Sequence, residues 1–172
     1  VGAKVLQTRS VELAMKLGVR VQVVSSFEDK PGSLVVDEDE IVEQPVVSGI
    51  AYSRDDAKVT LRRVPDRPGV AAKVFDAMAR ANVNVDMIVQ NIGADSTTDM
   101  TFTVGKADLA RALEVLGKAQ GERGFEALIA DPDVAKISVV GIGMRSHAGV
   151  ANTMFKALAE KGINIQVIST SE

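Results

Sequence analysis

Lys58 to Val64 reads as a strand, with polar and apolar residues alternating from Lys58 to Arg62, the period of a half-buried strand. The segment "PDRPG" (Pro65 to Gly69) then predicts a turn, with Asp66 as cap of the following helix and Pro68 in its first turn. Val70, Val74, Met78 and Ala81 fall at helical spacing on one face, while Lys73 and Arg80 can reach water. From Val83 the period returns to two: Val83, Val85, Met87 and Val89 point one way, Asn84, Asp86, Ile88 and Gln90 the other. Gly93 to Asp95 turn the chain, Thr98 to Val104 read as a third strand, and Leu109, Leu113 and Leu116 line a second helix. Phe125 to Ala130 close the set as a fourth strand.

Strand, helix, strand, strand, helix, strand is a split βαβ arrangement of the ferredoxin-like type, an α+β class with both helices on one sheet face. Half of it is repeated. At an offset of 80 positions, Val59 to Gln90 lie on Val139 to Thr170 without a gap: Gly69 on Gly149, Phe75 on Phe155, Asn84 on Asn164, Ile88 on Ile168. That spacing points to duplication of a whole small domain rather than to a solenoid. The second copy is expected as a strand from Ala135 to Gly141, a helix from His147 to Lys161 and a strand from Ile163 to Ser169, where the chain ends. The missing half is expected to be supplied in part from upstream. A helix around Ser10 to Leu17, closed by Gly18, leads into a strand at Val19 to Ser25 that would complete the second sheet. Residues 1–27 thus form an entry segment, 28–56 a linker, 57–132 the first domain and 133–172 a C-terminally incomplete second one. Beginning at Val1 and stopping directly after a strand-like run, the chain reads as a piece of a longer one.

Composition narrows the chemistry. A net charge of −3 gives no field to gather phosphate backbones or an anionic membrane, so neither nucleic acid nor a membrane is an expected partner. The absence of cysteine removes disulfides and thiolate metal sites, in keeping with a reducing cytoplasm. No apolar run approaches the roughly 18 residues of a membrane span. The acidic run Asp37 to Glu40 lacks the turn glycine that spaces calcium ligands and reads as a solvated surface, so no metal is expected. "GIGMRS" (Gly141 to Ser146) lacks the third glycine and the downstream acid of a dinucleotide loop.

Six segments in order resemble the aspartate kinase family: "GAKVLQTRSVELA" (Gly2 to Ala14), "SGIAYSRDDAKVTL" (Ser48 to Leu61), "NVDMIVQNI" (Asn84 to Ile92), "TTDMTFTV" (Thr97 to Val104), "GMRSHAGV" (Gly143 to Val150) and "NIQVISTSE" (Asn164 to Glu172). The first is similar to the tail of that family's catalytic domain, the others to its tandem ACT domains. The resemblance implies a regulatory region, or separate regulatory subunit, that binds lysine, threonine or both and feedback-inhibits phosphorylation of aspartate. It implies a homodimer through ACT domains and a partnership with the catalytic domain. The residues for ATP and Mg would lie in that domain, upstream of Val1, so no catalytic residue or cofactor is expected in this chain.

A free amino acid needs donors for its carboxylate, acceptors for its ammonium and a shaped pocket for its side chain. The turns "PDRPGV" and "RSHAGV" place backbone N–H groups and a positive helix end at Gly69 and Gly149. Asp66, Asp86, Asn84 and Asn164 offer oxygens, and Gln90 and Thr170, six residues along the same strand face, would read the side chain. In this family ACT units join side by side through the edge at the second strand and hold ligand between one unit's turn and its neighbour's second strand. Carried over by position, Asp66, Arg67, Pro68, Gly69, Val70 and Ala71 would face Asn164 and Ile165. Ser146, His147, Ala148, Gly149 and Val150 would face Asn84, Val85 and Asp86, with Gln90, Asn91, Thr98, Thr170 and Ser171 nearby.

Each of these residues also has a purely structural alternative. Asp66 and Ser146 can cap helices, and Asn84 and Asn164 can be ordinary polar residues at strand starts. His147, the single histidine, has no evident carboxylate or nucleophile partner for base catalysis and reads as a surface residue. Two other functions fit the same turns: an ACT module regulating a different biosynthetic enzyme, and a dimerisation module that binds nothing.

Overall fold

A computed structural model describes residues 5–36, 47–93, 95–141 and 149–170, without the side chains of residues 92, 119 and 121–123. Described elements are α1 (Thr8–Lys16), β1 (Val21–Val23), β2 (Ser33–Val35), β3 (Gly49–Ser53), β4 (Asp56–Pro65), α2 (Val70–Arg80), β5 (Val85–Ile92), β6 (Thr97–Gly105), α3 (Leu109–Arg123), β7 (Ala127–Asp131), β8 (Lys136–Val140) and α4 (Val150–Glu160). The residues divide into two compact units, one of Tyr52–Ile137 with Leu158–Glu172, the other of Val1–Ala51 with Ser138–Ala157.

The first unit holds the expected ferredoxin-like sheet. Its four strands run in the order β5-β6-β4-β7, every neighbouring pair antiparallel, so β5 and β7 are the borders. The alternation along β4 and β6 sends Ala57, Val59, Leu61, Met100, Phe102 and Val104 to one face, where all are buried against Val74 and Met78 of α2 and Ala112 and Leu116 of α3. Phe102 meets Phe75 edge to face, centroids 5.5 Å apart, an arrangement that suits the ring quadrupoles. Lys58, Thr60, Thr101, Thr103 and Asp131 stand on the opposite face, because the register pairs Lys58 with both Thr103 and Asp131, and Thr60 with Thr101.

Two bulges interrupt the alternation. On β4, Arg62 and Arg63 together oppose Asp99; Arg63 has φ 52°, and its N–H donates to Asp99 Oδ1 at 2.9 Å. The Arg63 guanidinium pairs with Asp95 and Glu126 at 2.8 and 2.9 Å, which anchors the kink. On β5, Met87 (φ 37°) and Ile88 span the place of one residue between Asp86, opposite Thr103, and Val89, opposite Thr101. An extra residue reverses which face each later side chain takes. The uniform alternation expected from Val83 to Gln90 therefore breaks: Val89 lies on the face of Asp86, and Gln90, opposite Met100, on the face of the helices.

The duplication survives in backbone detail. α2 and α4 each follow a glycine in the left-handed region, Gly69 at φ 87° and Gly149 at 101°. Both close in the same way: Asn82 N–H bonds Ala79 O and Val83 N–H bonds Met78 O, while Gly162 bonds Ala159 and Ile163 bonds Leu158. This pair of bonds is the Schellman closure, which requires a left-handed residue at its centre: Asn82 at φ 52°, Gly162 at 67°. α1 ends identically, with Gly18 to Met15 and Val19 to Ala14, so Gly18 closes it as expected.

Three expectations are corrected. The strand from the Val19 to Ser25 region shortens to β1, which among the described residues pairs with β2 alone; the upstream strand that joins β8 is β3. Residues 28–56 are correspondingly not a bare linker, since they contain β2 and β3; the alternation in "SLV" and "GIAYS" serves pairing there. Ile163 to Ser169 has a strand's pattern, but no strand is assigned over residues 163–170. Period two makes an extended segment, and a ladder partner is what turns it into a strand. The acidic run 37–40 and the start of the His147 helix lie outside the described residues.

Candidate functional site

The turn before α2 is built from backbone geometry. Asp66 N–H donates to Ser96 O at 2.9 Å, Arg67 N–H to Pro65 O at 2.9 Å and Val70 N–H to Arg67 O at 3.3 Å. Gly69, not Asp66, is the N-cap, and no side chain caps the helix. The reason is the Pro68–Gly69 turn, which moves the first helical residue to Val70 and leaves Asp66 too far upstream. Its carboxylate and the N–H groups of Gly69, Ala71 and Ala72 have no hydrogen-bond partner among the described residues. Apart from its own chain neighbours, no heavy atom of the described residues lies within 4 Å of where a Cβ on Gly69 would stand. An exposed helix start with free donors, an open approach and a nearby free carboxylate can take up a zwitterion.

In the second copy Gly149 repeats the left-handed entry with the same open space, and Val150 begins the helix. Thr153 N–H and its hydroxyl both donate to Gly149 O, at 2.9 and 3.0 Å. Ser146, His147, Ala148 and Ser171 lie outside the described residues.

The β5 end carries the other candidates. Asn84 and Asp86 are exposed and Val85 half-buried. Asn84 and Val85 line a groove of about 390 Å³ together with Phe75, Met78, Ala79, Asn82, Val83 and Ile88. Asp86 Oδ1 accepts the Met87 N–H at 2.8 Å and Oδ2 accepts Lys136 Nζ at 2.5 Å. The lysine hydrogen bond, then that N–H, hold the Asp86 carboxyl below its ordinary pKa against partial burial. The same bond raises Lys136. Further along, Gln90 and Asn91 are exposed, but the bulge takes Gln90 off the face expected for it. Thr98 is buried, and its hydroxyl donates to Asn91 O, tying β6 to β5.

Asn164 and Thr170 are exposed and Ile165 half-buried. Between them Gln166, the counterpart of Asp86, bridges Lys58 and Asp131: Lys58 Nζ donates to its Oε1, and its Nε2 donates to Asp131 Oδ2 at 3.1 Å. That bond is the main cause of a lowered Asp131 pKa. Sequence reasoning missed Lys58, Lys136, Gln166 and Asp131. One signal was available, since Lys136 and Gln166 fall at the repeat positions of Asp56 and Asp86. Among the described residues no group of His, Asp or Glu could hold a metal ion, and no helix is long and apolar enough to cross a membrane.

Residues 62–120 and 137–172 match the ACT domain family model. An aspartate kinase of Stutzerimonas stutzeri is 56% identical over 172 residues, covering 99% of this chain and 42% of the relative. The chain thus spans less than half the length of the curated relatives it matches. The regulatory subunit of aspartate kinase from Thermus thermophilus, solved ligand-free, is 44% identical with a TM-score of 0.68, covering 74% of this chain and 84% of that one. Aspartokinase III of E. coli, solved in complex with lysine and aspartate in a T-state, is 22% identical with a TM-score of 0.72, covering 98% of this chain and 36% of that one; the likeness is one of fold.

Proposed function

The chain belongs to the ACT-bearing regulatory region of the aspartate kinase family, and from that premise we propose that it senses end-product amino acids, lysine, threonine or both. Binding at junctions between ACT units of a cytoplasmic homodimer feedback-inhibits the phosphorylation of aspartate by the catalytic domain, where ATP and Mg are bound. The observation that carries this reading is the repeated left-handed glycine entry at Gly69 and Gly149, open on its outer side. A carboxylate can approach there without meeting a Cβ, and the free N–H groups supply its donors. Asp66, Asn84, Asp86 and Asn164 supply acceptors for the ammonium. The lysine complex of the E. coli fold neighbour is in keeping with lysine as one effector.

An effector inhibits if it binds one arrangement of the regulatory region more tightly than another; a coupling of about 1–3 kcal/mol changes activity by roughly 5–150-fold. Calorimetric titration of lysine and of threonine into the wild-type chain and into Asp66→Ala tests the site. The reading expects saturable binding by the wild type and weaker binding by the variant. It fails if neither amino acid binds, and Asp66 leaves the site if its replacement changes nothing.

A further inference from the structure

The environment of Asp86 supports a more specific statement, resting on the proposed function and deepening it. We propose that Lys136 is an internal competitor for the effector: its ammonium holds the place at Asp86 that an effector's ammonium takes, so binding releases Lys136 from β5.

Asp86 and Thr103 stand directly opposite across β5 and β6, so their side chains are neighbours on the helix-free face. Thr103 is 4% exposed, and its hydroxyl has no hydrogen-bond partner among the described residues. A buried hydroxyl without a partner is disfavoured and marks a place built for one more polar group. Asp56, two residues before Lys58 on the same face of β4, has an equally unpartnered buried oxygen, and its charge acts on Lys136. Lys136 is therefore shared between two carboxylates while bonded to one. On this face Asp56, Asp86 and Asp131 outnumber Lys58 and Lys136, and Lys58 is engaged by Gln166. The residual charge is negative, the free acceptors are oxygens, and the group already bound is a primary ammonium. The fitting ligand class is a second primary ammonium, that of a free amino acid.

Displacement is easy because the pair reaches water, the Asp86 side chain being 65% and the Lys136 side chain 32% exposed, and solvent-screened ion pairs are weak. The test is calorimetric titration of lysine and threonine into wild type, Lys136→Met, Lys136→Gln, Asp86→Asn and the Lys136→Met/Asp86→Asn double variant, each checked for folding by circular dichroism. Both Lys136 variants are expected to bind up to about fivefold more tightly than wild type, the worth of an exposed pair. Asp86→Asn is expected to bind more weakly, and the gain from Lys136→Met to vanish in the double variant. Unchanged or weaker binding by both Lys136 variants, with wild-type binding intact, overturns the competitor and leaves the sensor standing. A gain that persists without the Asp86 charge also overturns it. Absence of binding in every protein removes the sensor and the competitor together.

Discussion

Asp86 and Gln166 occupy equivalent positions of the duplicated unit, and each receives a lysine ammonium from the first strand of the other copy, Asp86 from Lys136 and Gln166 from Lys58. The two contacts are alike in kind, although Lys58 and Lys136 are not equivalent positions of the repeat. They are not identical, because a carboxamide both donates and accepts. Gln166 therefore goes on to bond Asp131, while Asp86 takes a second donor from Met87.

The Asp86–Lys136 pair sets limits in pH. Asp86 titrates below its ordinary 3.8 in the folded chain, so its contribution is complete above that value and is lost as pH falls through the folded pKa. Lys136 titrates above its ordinary 10.5, so its contribution is complete below that value and is lost as pH rises through the folded pKa. Thermal melts from pH 2 to 11 are expected to show Asp86→Asn losing part of the acid-side slope of wild type. Lys136→Met is expected to lose part of the alkaline slope. Variants melting parallel to wild type at both ends would disprove the assignment.

Gly69 and Gly18 separate backbone cost from ligand approach. Both are left-handed with open space around a Cβ, so alanine at either is expected to cost about 1 kcal/mol of stability in urea denaturation. Of the two, only Gly69→Ala is expected to weaken amino-acid binding, by removing the site at that entry while leaving the one at Gly149, because of the two methyls only that one stands before the helix donors. Equal affinity in both variants would place the carboxylate elsewhere.

The helix closures give opposite signs at equivalent positions. Asn82 holds a left-handed conformation that glycine holds at residue 162. Asn82→Gly is expected to leave stability unchanged or raise it by a few tenths of a kcal/mol, and Gly162→Ala to lower it by about 1 kcal/mol. Chemical denaturation midpoints with unchanged slopes would read both.

Phe102 is fully buried and edge-on to Phe75. Phe102→Ala is expected to cost about 3–5 kcal/mol. Phe27 is 97% exposed, and Phe27→Ser is expected to stay within about 0.5 kcal/mol of wild type. Calorimetric melting of both variants would reveal a misplaced core if the two costs came out alike.

What could be read from the sequence was local periodicity and repetition. The order of elements from β4 to β7 and the burial of Val74 and Met78 followed from alternation and helical spacing, and the sheet then formed around them. The bulge at Met87 left no mark, since a non-glycine residue at positive φ carries no sequence signature. Gln90 was misplaced for that reason alone. The β1–β2 and β3–β8 pairings escaped because three to five extended residues specify no partner. Of the proposed site, the glycines and Asp86 were legible as chemistry at repeated positions. Lys136 was not, because its role lies in a contact with a residue 50 positions away.

The kink at Met87 also bears on how the sheet ends. β5 is a border strand, and a straight border is a template on which further strands can add without limit. Because Met87 and Ile88 crowd into the space of one residue, an added strand would find matching rungs on one side of the bend and lose register on the other. The fold thereby tolerates a short, bounded contact along this margin while resisting runaway growth into a ribbon.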